Sequence, residues 1–251
     1  MNSKDLKKFQ NLSYDAFKKL ALDPSLSRNE KIGFPEKYRN GKENHIYQDI
    51  QQKLPDLLNS RNKIVMDIGC GCGPLLDLIA FNAQKQQHQL ILIDSYEMLS
   101  QLDDNIYGIK IEGVFPEIPE IKNQYHSKVD MIIVYSVFHY VFYHQNIYDF
   151  LDNAIELLTH GGQLLIGDIP NSSKKERFFK SEKGIKYHQE YTNTLTLPKL
   201  NEMQTEPQID DQILIDIIKR YRSLGNEVFI LPQNLDLPFA NRREDLLIIK
   251  L

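Results

Sequence analysis

The run Ile64-Val65-Met66-Asp67-Ile68-Gly69-Cys70-Gly71-Cys72-Gly73-Pro74 constrains the fold more than any other part of the chain. Branched apolar residues end in an acid and pass directly into glycines at alternate positions, closed by a proline. Such a run reads as a buried strand, a tight ligand loop and the start of a helix. The glycines permit positive φ and remove side chains that would keep a ligand from the main chain, and Pro74 suits the first helical turn. A strand-to-helix turn of this kind offers its backbone N–H groups to a nucleotide-like ligand. The spacing departs from the dinucleotide fingerprint, whose third glycine would fall at position 74, where this chain has Pro74. Asp67 would repel a pyrophosphate resting on the helix N-terminus, but it suits a ligand that carries an ammonium group.

From Lys63 onward, short β-rich runs alternate with amphipathic segments, the pattern of a parallel sheet covered by helices. The pattern predicts strands over 63–68, 89–94, 107–112, 129–135, 163–168, 227–231 and 244–250. Helices are expected over 74–86, 96–103, 145–158 and 210–224, with a weak turn near 117–125. The helix over 145–158 is expected to end at Thr159-His160-Gly161-Gly162, with glycine in the position that favours it. Residues 1–60 are polar, broken by Pro24, Pro35 and Pro55, and read as a helical N-terminal cap ahead of a domain over 61–251. Residues 171–209 break the alternation with mixed charged, aromatic and proline residues and are expected to form a lid-like insertion.

At 251 residues and 41% hydrophobic content the chain can form a sizeable core. A net charge of −4 creates no broad positive field, so duplex nucleic acid is a poor partner. The N-terminus lacks the apolar core of a signal peptide, and the longest apolar run, Val129 to Phe142, is interrupted by Asp130, Ser136 and His139. Membrane insertion is therefore not expected, and a cytoplasmic location is. Cys70 and Cys72 are too close for an ordinary disulfide and too few for a zinc site, so they read as small loop-filling residues.

With these elements in order, the chain resembles the class I S-adenosylmethionine-dependent methyltransferases over residues 61–170 and, more weakly, 210–251. The resemblance implies an α/β fold, a Rossmann-like seven-stranded mostly parallel sheet with an antiparallel last strand. It implies that Asp67, Gly69, Cys70, Gly71 and Gly73 hold the methionine end of S-adenosyl-L-methionine. Asp94, closing Leu90-Ile91-Leu92-Ile93-Asp94, matches the family acid that accepts from both ribose hydroxyls, with Ser95 and Met98 continuing that motif. The acid that usually meets the adenine amine is displaced here, so adenine contacts fall to Gly113, Val114 and the ring of Phe115. Tyr135 and Ser136 close the fourth-strand motif. Asp67, Asp94, Glu112, Tyr135 and Asp168, at the ends of five strands, are expected to rim one crevice.

Methyl transfer from a sulfonium needs alignment more than covalent help, and a general base matters only when the acceptor is a hydroxyl. His139, after the fourth strand, is the first candidate for that base, weighed against a packing role among Phe138, Tyr140, Phe142 and Tyr143. His188 is the reserve. Asp168 and Asn171, at the fifth-strand exit, are candidates for substrate contact, and Lys174-Lys175-Glu176-Arg177 for a phosphate carried by the substrate. Tyr135-Ser136-Val137-Phe138 replaces the Asn/Asp-Pro-Pro-aromatic signature of amide and adenine amine methylation, and Tyr135 breaks the acid cluster of the magnesium-dependent members, so no metal is expected. The fifth-strand exit and the Asn241-Arg242-Arg243-Glu244-Asp245 segment resemble methyltransferases from bacterial surface-polysaccharide gene clusters, which implies a small-molecule or sugar/glycan acceptor. The alternative is a non-catalytic S-adenosylmethionine-binding sensor or assembly protein. A nicotinamide-dependent dehydrogenase is opposed by the glycine spacing and by Asp67.

Overall fold

Seven runs rich in branched apolar residues join one sheet in the computed structural model of the chain, which describes residues 8–9, 12–104, 108–198 and 207–251. The strands are β1 (Ile64–Ile68), β2 (Gln89–Asp94), β3 (Ile109–Glu112), β4 (Val129–Tyr135), β5 (Leu158–Pro170), β6 (Glu227–Pro232) and β7 (Arg243–Ile249). Their order is β3-β2-β1-β4-β5-β7-β6. The pairs β1·β2, β1·β4, β2·β3 and β4·β5 are parallel, and β7 runs antiparallel between β5 and β6. This is the Rossmann-like, mostly parallel sheet that the sequence implied. Strand order reverses between β1 and β4, so a crevice opens beyond their carboxyl ends.

Helices α1 (Tyr14–Leu22), α2 (Arg28–Lys31), α3 (Glu36–Arg39), α4 (Glu43–Lys53) and α5 (Asp56–Asn59) precede the sheet. After β1 come α6 (Pro74–Gln86), α7 (Tyr96–Leu99), α8 (Pro119–Tyr125), α9 (Phe138–His144), α10 (Ile147–Leu157), α11 (Ser172–Lys180), α12 (Glu182–Thr192) and α13 (Asp211–Ser223). Alternate strand residues feed two cores, as the period-2 pleat requires. Met66, Ile91, Ile132 and Leu164 pack with Phe150, Leu151, Leu214 and Ile217 of α10 and α13. On the other face Val65, Leu92, Ile133 and Leu165 pack with Ile46 and Ile50 of α4 and with Leu76 and Ile79 of α6. Each of these buried side chains contributes about 1.5–3 kcal/mol through desolvation.

The segment before β1 is tied to the glycine loop by polar contacts. Ser27 and Glu30 form a capping box at the start of α2. Arg28 then donates to Cys72 O at 2.9 Å and Gly73 O at 3.0 Å, and its guanidinium pairs with Asp77. Arg28 thereby anchors α2 across the start of α6.

Several local expectations change. The glycines after α10 do not cap it: the helix ends at Leu157, and Thr159-His160-Gly161-Gly162 lie inside β5. Gly161 N donates to Lys250 O at 2.7 Å and Lys250 N to Gly162 O at 3.0 Å, so pairing with the C-terminal strand overrides the local turn preference. The helix expected over 96–103 closes after one turn at Leu99, and the weak turn near 117–125 is α8. The aromatic stretch after β4 forms α9 (Phe138–His144), for which the sequence pattern gave no helical expectation. The described part of residues 171–209 carries two helices, capped by the side chains of Asn171 and Ser181. Residues 1–7, 10–11, 199–206 and Tyr107, included in the expected cap, insertion and third strand, lie outside the described residues. No helix among the described residues is long and apolar enough to cross a membrane.

Candidate functional site

The turn after β1 takes its shape from Gly69 (φ +73°) and Gly71 (φ +61°), left-handed conformations in which a side chain is strained. Its backbone is tied to β2: Gly69 N donates to Ile93 O at 2.8 Å, and Gly71 N donates to Asp94 Oδ2 at 2.8 Å. Asp94 Oδ1 accepts from Ser95 N at 2.7 Å. The bare Cβ positions do not simply open to a ligand, as the sequence suggested. A Cβ on Gly69 would strike Val137, and one on Gly71 or Gly73 would strike Ile32. The glycines therefore let the N-terminal segment and α9 close down over the loop.

What remains between them is a cavity of about 360 Å³, within the usual size range of small-molecule sites. Asp67, Gly69, Cys70, Gly71, Gly73, Asp94, Met98, Gly113, Val114, Phe115, Tyr135 and Ser136 line it together. Ser95 is buried and accepts from Met98 N at 3.3 Å, capping α7 without lining the cavity. Glu112 is exposed and does not line the cavity, although its charge reaches Tyr14 of the cavity wall. Asp168 is buried and also off the rim, one hydrogen bond behind Ser136, whose hydroxyl donates to Asp168 Oδ2 at 2.7 Å.

The cavity's acids are strongly perturbed. Burial, with the neighbouring Asp94 charge added, pushes Asp67 up to about 7. Burial pushes Asp94 up to about 6 against the lowering effect of its bonds from Ser95 and Gly71. Asp67 is 5% exposed, and no described residue donates a hydrogen bond to it. Burial also raises the Cys70 thiol, which stays protonated at neutral pH.

The N-terminal segment adds a wall that motif reading missed: Tyr14, Phe17, Ile32, Phe34 and Arg39. Arg39 is 5% exposed, and its Nη1 lies 3.4 Å from Ser136 Oγ. The guanidinium carbon sits 4.6 Å from the Phe34 ring centroid and 5.9 Å from that of Tyr135. Its Nε is buried without a hydrogen-bond partner, and no carboxylate pairs with it among the described residues. Nothing in the sequence around Arg39 marks it. Its role depends on the path of the chain between α2 and α4.

His139 does not line this cavity. It projects from the other side of α9 into a second cavity of about 250 Å³, together with Tyr143, Asn171, Lys175, Arg242 and Arg243. Burial, then the charge of Arg243, pushes its imidazole down to about 4, with Asp168 opposing. Its ring lies 3.8 Å from that of Tyr140, and its Nδ1 is buried without a partner. Asp168 (φ +60°) is held by Asp245 Oδ1, which accepts from its N at 2.8 Å, and by Arg243, 3.6 Å from its carboxylate. His188 lines neither cavity: it lies on α12 with its ring 6.4 Å from that of Phe179. Among the described residues no group of three or more His, Cys, Asp or Glu is placed to hold a metal ion.

A family model described as a methyltransferase domain matches residues 41–203. No curated protein sequence matches the chain. Among solved structures, the chain is similar to the plantazolicin methyltransferase BamL in complex with a triazolic desmethylPZN analog and SAH, with a TM-score of 0.59, 15% identity and coverage of 98% of this chain and 97% of that one. It is similar to the plantazolicin methyltransferase BpumL in complex with SAH, with a TM-score of 0.54, 18% identity and coverage of 98% of each chain. The CurJ carbon methyltransferase superposes with a TM-score of 0.56 at 16% identity, covering 99% of this chain and 71% of that one. At these identities the likeness speaks for the fold.

Proposed function

The chain belongs to the methyltransferase-domain family, and we propose on that premise that the first cavity binds S-adenosylmethionine through Asp67, Asp94 and Arg39. It is an S-adenosylmethionine-dependent methyltransferase of the class I fold. The observation that carries the reading of the site is a pairing of unmet charges in one enclosed space. Asp67 has no hydrogen-bond donor from the described residues, and Arg39 has a buried, unpartnered Nε. A free α-amino acid group complements both, with its ammonium toward Asp67 and its carboxylate toward Arg39. Asp94 keeps lone pairs beyond those used by Gly71 and Ser95, and these suit the ribose hydroxyls. Met98, Gly113, Val114 and Phe115 supply an apolar slot for adenine.

When bound, the cofactor supplies a methyl group already activated on a sulfonium. The chain's own part is alignment and exclusion of water: Tyr135, Tyr140 and Val141 wall the cavity on the side of β4 and α9. We propose a small-molecule or sugar acceptor, methylated on oxygen or nitrogen. None of the relatives described above supports a polysaccharide-cluster role, so the acceptor is argued from the site alone. His139 lines the second cavity and not the first, so it takes the proton of a hydroxyl acceptor only where that acceptor reaches across α9; burial keeps its imidazole neutral at physiological pH and a weak base. The chain acts in the cytoplasm on this reading.

Titration calorimetry tests the assignment. S-adenosylhomocysteine is expected to bind in the micromolar range and NAD not measurably. Binding in the reverse order overturns the site. Methyl transfer from labelled S-adenosylmethionine to a panel of hydroxyl and amine acceptors then selects the substrate class.

A further inference from the structure

Two cavities flank α9. Tyr140, Val141 and His144 face the first, and His139 and Tyr143 face the second. The second is closed by Asn171 and Lys175 at the start of α11 and by Arg242 and Arg243 where the chain enters β7. Its wall is strongly basic, and the acids around it are already engaged. Asp168 lies 3.6 Å from Arg243. Glu244 lies 3.5 Å from Lys174 and accepts from Asn171 Nδ2 at 2.6 Å. Asp211 pairs with Arg177 and accepts from Asn171 Nδ2 at 2.8 Å.

Lys175 and Arg242 are left over. Both are half-buried, and neither has an acidic partner among the described residues. Arg242 does not swing in solvent: its guanidinium carbon lies 4.4 Å from the Phe239 ring centroid and 5.7 Å from that of Phe179. Burial, then the charge of Arg242, lowers the Lys175 ammonium from its ordinary value. Two partly desolvated cations that share a cavity with no counter-ion among the described residues cost free energy, and a bound oxyanion recovers it. Planar guanidinium beside ammonium is also a common donor set for phosphate and carboxylate.

We infer that the second cavity holds an oxyanion carried by the methyl acceptor, a phosphate or a carboxylate, on Lys175 and Arg242. The inference rests on the reading of the first cavity as the cofactor site. The acceptor then spans α9, its anion in the second cavity and its nucleophile directed toward the first. Ser136, Asp168 and Arg243 form the hydrogen-bonded partition between them, and His139 lines the second cavity from the α9 side. A neutral sugar or amine leaves both cations unmet, so the site selects against it.

The test is a titration of the full chain with inorganic phosphate and, separately, with succinate, at constant ionic strength, with and without saturating S-adenosylhomocysteine. Saturable binding to one site is expected, persisting in the S-adenosylhomocysteine complex. Lys175→Gln and Arg242→Gln should each weaken it by at least about fivefold, and Lys175→Arg should restore it. S-adenosylhomocysteine affinity should stay within about twofold in every variant, since these residues lie outside its cavity. Tighter phosphate binding assigns a phosphoryl group, and tighter succinate binding a carboxylate. A linear, unsaturable response to both anions overturns the inference. So does undiminished affinity in the variant carrying both Lys175→Gln and Arg242→Gln, or displacement of phosphate by S-adenosylhomocysteine, which would place the anion in the first cavity. Saturable phosphate binding with no binding of S-adenosylhomocysteine instead overturns the cofactor reading.

Discussion

At the scale of single residues, the two perturbed acids of the first cavity make cofactor affinity depend on pH. Asp67 is pushed up to about 7, so in the free protein it is protonated below that value and charged above it. An ammonium favours the charged form, so affinity should rise with pH through about 7 and level off until the ligand's own amine deprotonates. Calorimetry with S-adenosylhomocysteine from about pH 5.5 to 8 should show this rise, with a slope of up to about tenfold per pH unit on its acid side. Asp67→Asn should flatten it. Asp94→Ala should weaken binding by about 2–4 kcal/mol, because hydrogen bonds to a charged acceptor are worth about 1.5–3 kcal/mol each and the ribose hydroxyls regain some solvent. Unchanged affinity in a folded variant removes Asp94 from the site. For His139 the shift is downward, and the pH effect falls on stability. An imidazole kept neutral down to about 4 costs the fold stability as pH falls below its ordinary 6.5. If His139 takes the acceptor's proton, the acid limb of kcat should lie well below 6.5. His139→Ala should then lower turnover by about 10²- to 10⁴-fold while leaving cofactor affinity unchanged. Full turnover in that variant from about pH 6 to 9 assigns proton removal to solvent.

At the scale of elements, α11 and α12 form a pair resting lightly on the rest of the molecule. Apart from Gly184, α12 buries no residue, and its Tyr187 and Tyr191 rings stack with centroids 6.2 Å apart on an exposed face. Its link to the N-terminal segment is the Tyr191 hydroxyl, 3.3 Å from that of Tyr38. Few buried contacts, with Ser172 and Lys175 of α11 in the wall of the second cavity, are what a lid there requires, and local openings of this kind have low free energy. Amide exchange in 172–192 should be fast in the free protein and slow in the presence of S-adenosylhomocysteine and phosphate; equal exchange in both states removes the lid. Gly184 provides the seam between the helices, since a Cβ there would collide with Phe178 O. Gly184→Ala should therefore separate α12 from α11, raising KM for the acceptor while cofactor affinity holds.

The whole molecule is joined across its N-terminal boundary by a buried charge network. Lys53 of α4 bonds Asp49 and, at 2.6 Å, Asp245 of β7, which is fully buried. Asp245 in turn accepts from Asp168 N and from Gln233 Nε2 at 2.9 Å. The network runs from the segment before β1 to the partition between the two cavities. Removing the Lys53 ammonium leaves the buried carboxylates of Asp49 and Asp245 facing each other, a change that costs about 3–5 kcal/mol. Lys53→Met should lower Tm sharply in thermal melts, and a shift of only a degree or two would show that water reaches the pair.

The strand ends and the loop were legible because they are local. A short continuous apolar run closing on Asp67 or Asp94, followed by a glycine loop or a capping serine, encodes its own geometry, and parallel pairing then brings Asp67, Asp94 and Tyr135 to one end of the sheet. Tertiary structure decided the rest. Arg39 enters the cavity only because Arg28 and Ile32 fold the N-terminal segment over the loop, and neither contact leaves a trace in sequence spacing. The glycines after α10 join β5 because a strand distant in sequence pairs with them. His139 and Tyr140 are neighbours in the chain, yet a helix turn sends them into different cavities, and that depends on α9 being a helix at all. The charges of the cavities follow the same division. Composition names the ionisable groups, but only packing decides which are desolvated, which are paired, and which, like Lys175 and Arg242, are left for a ligand to neutralise.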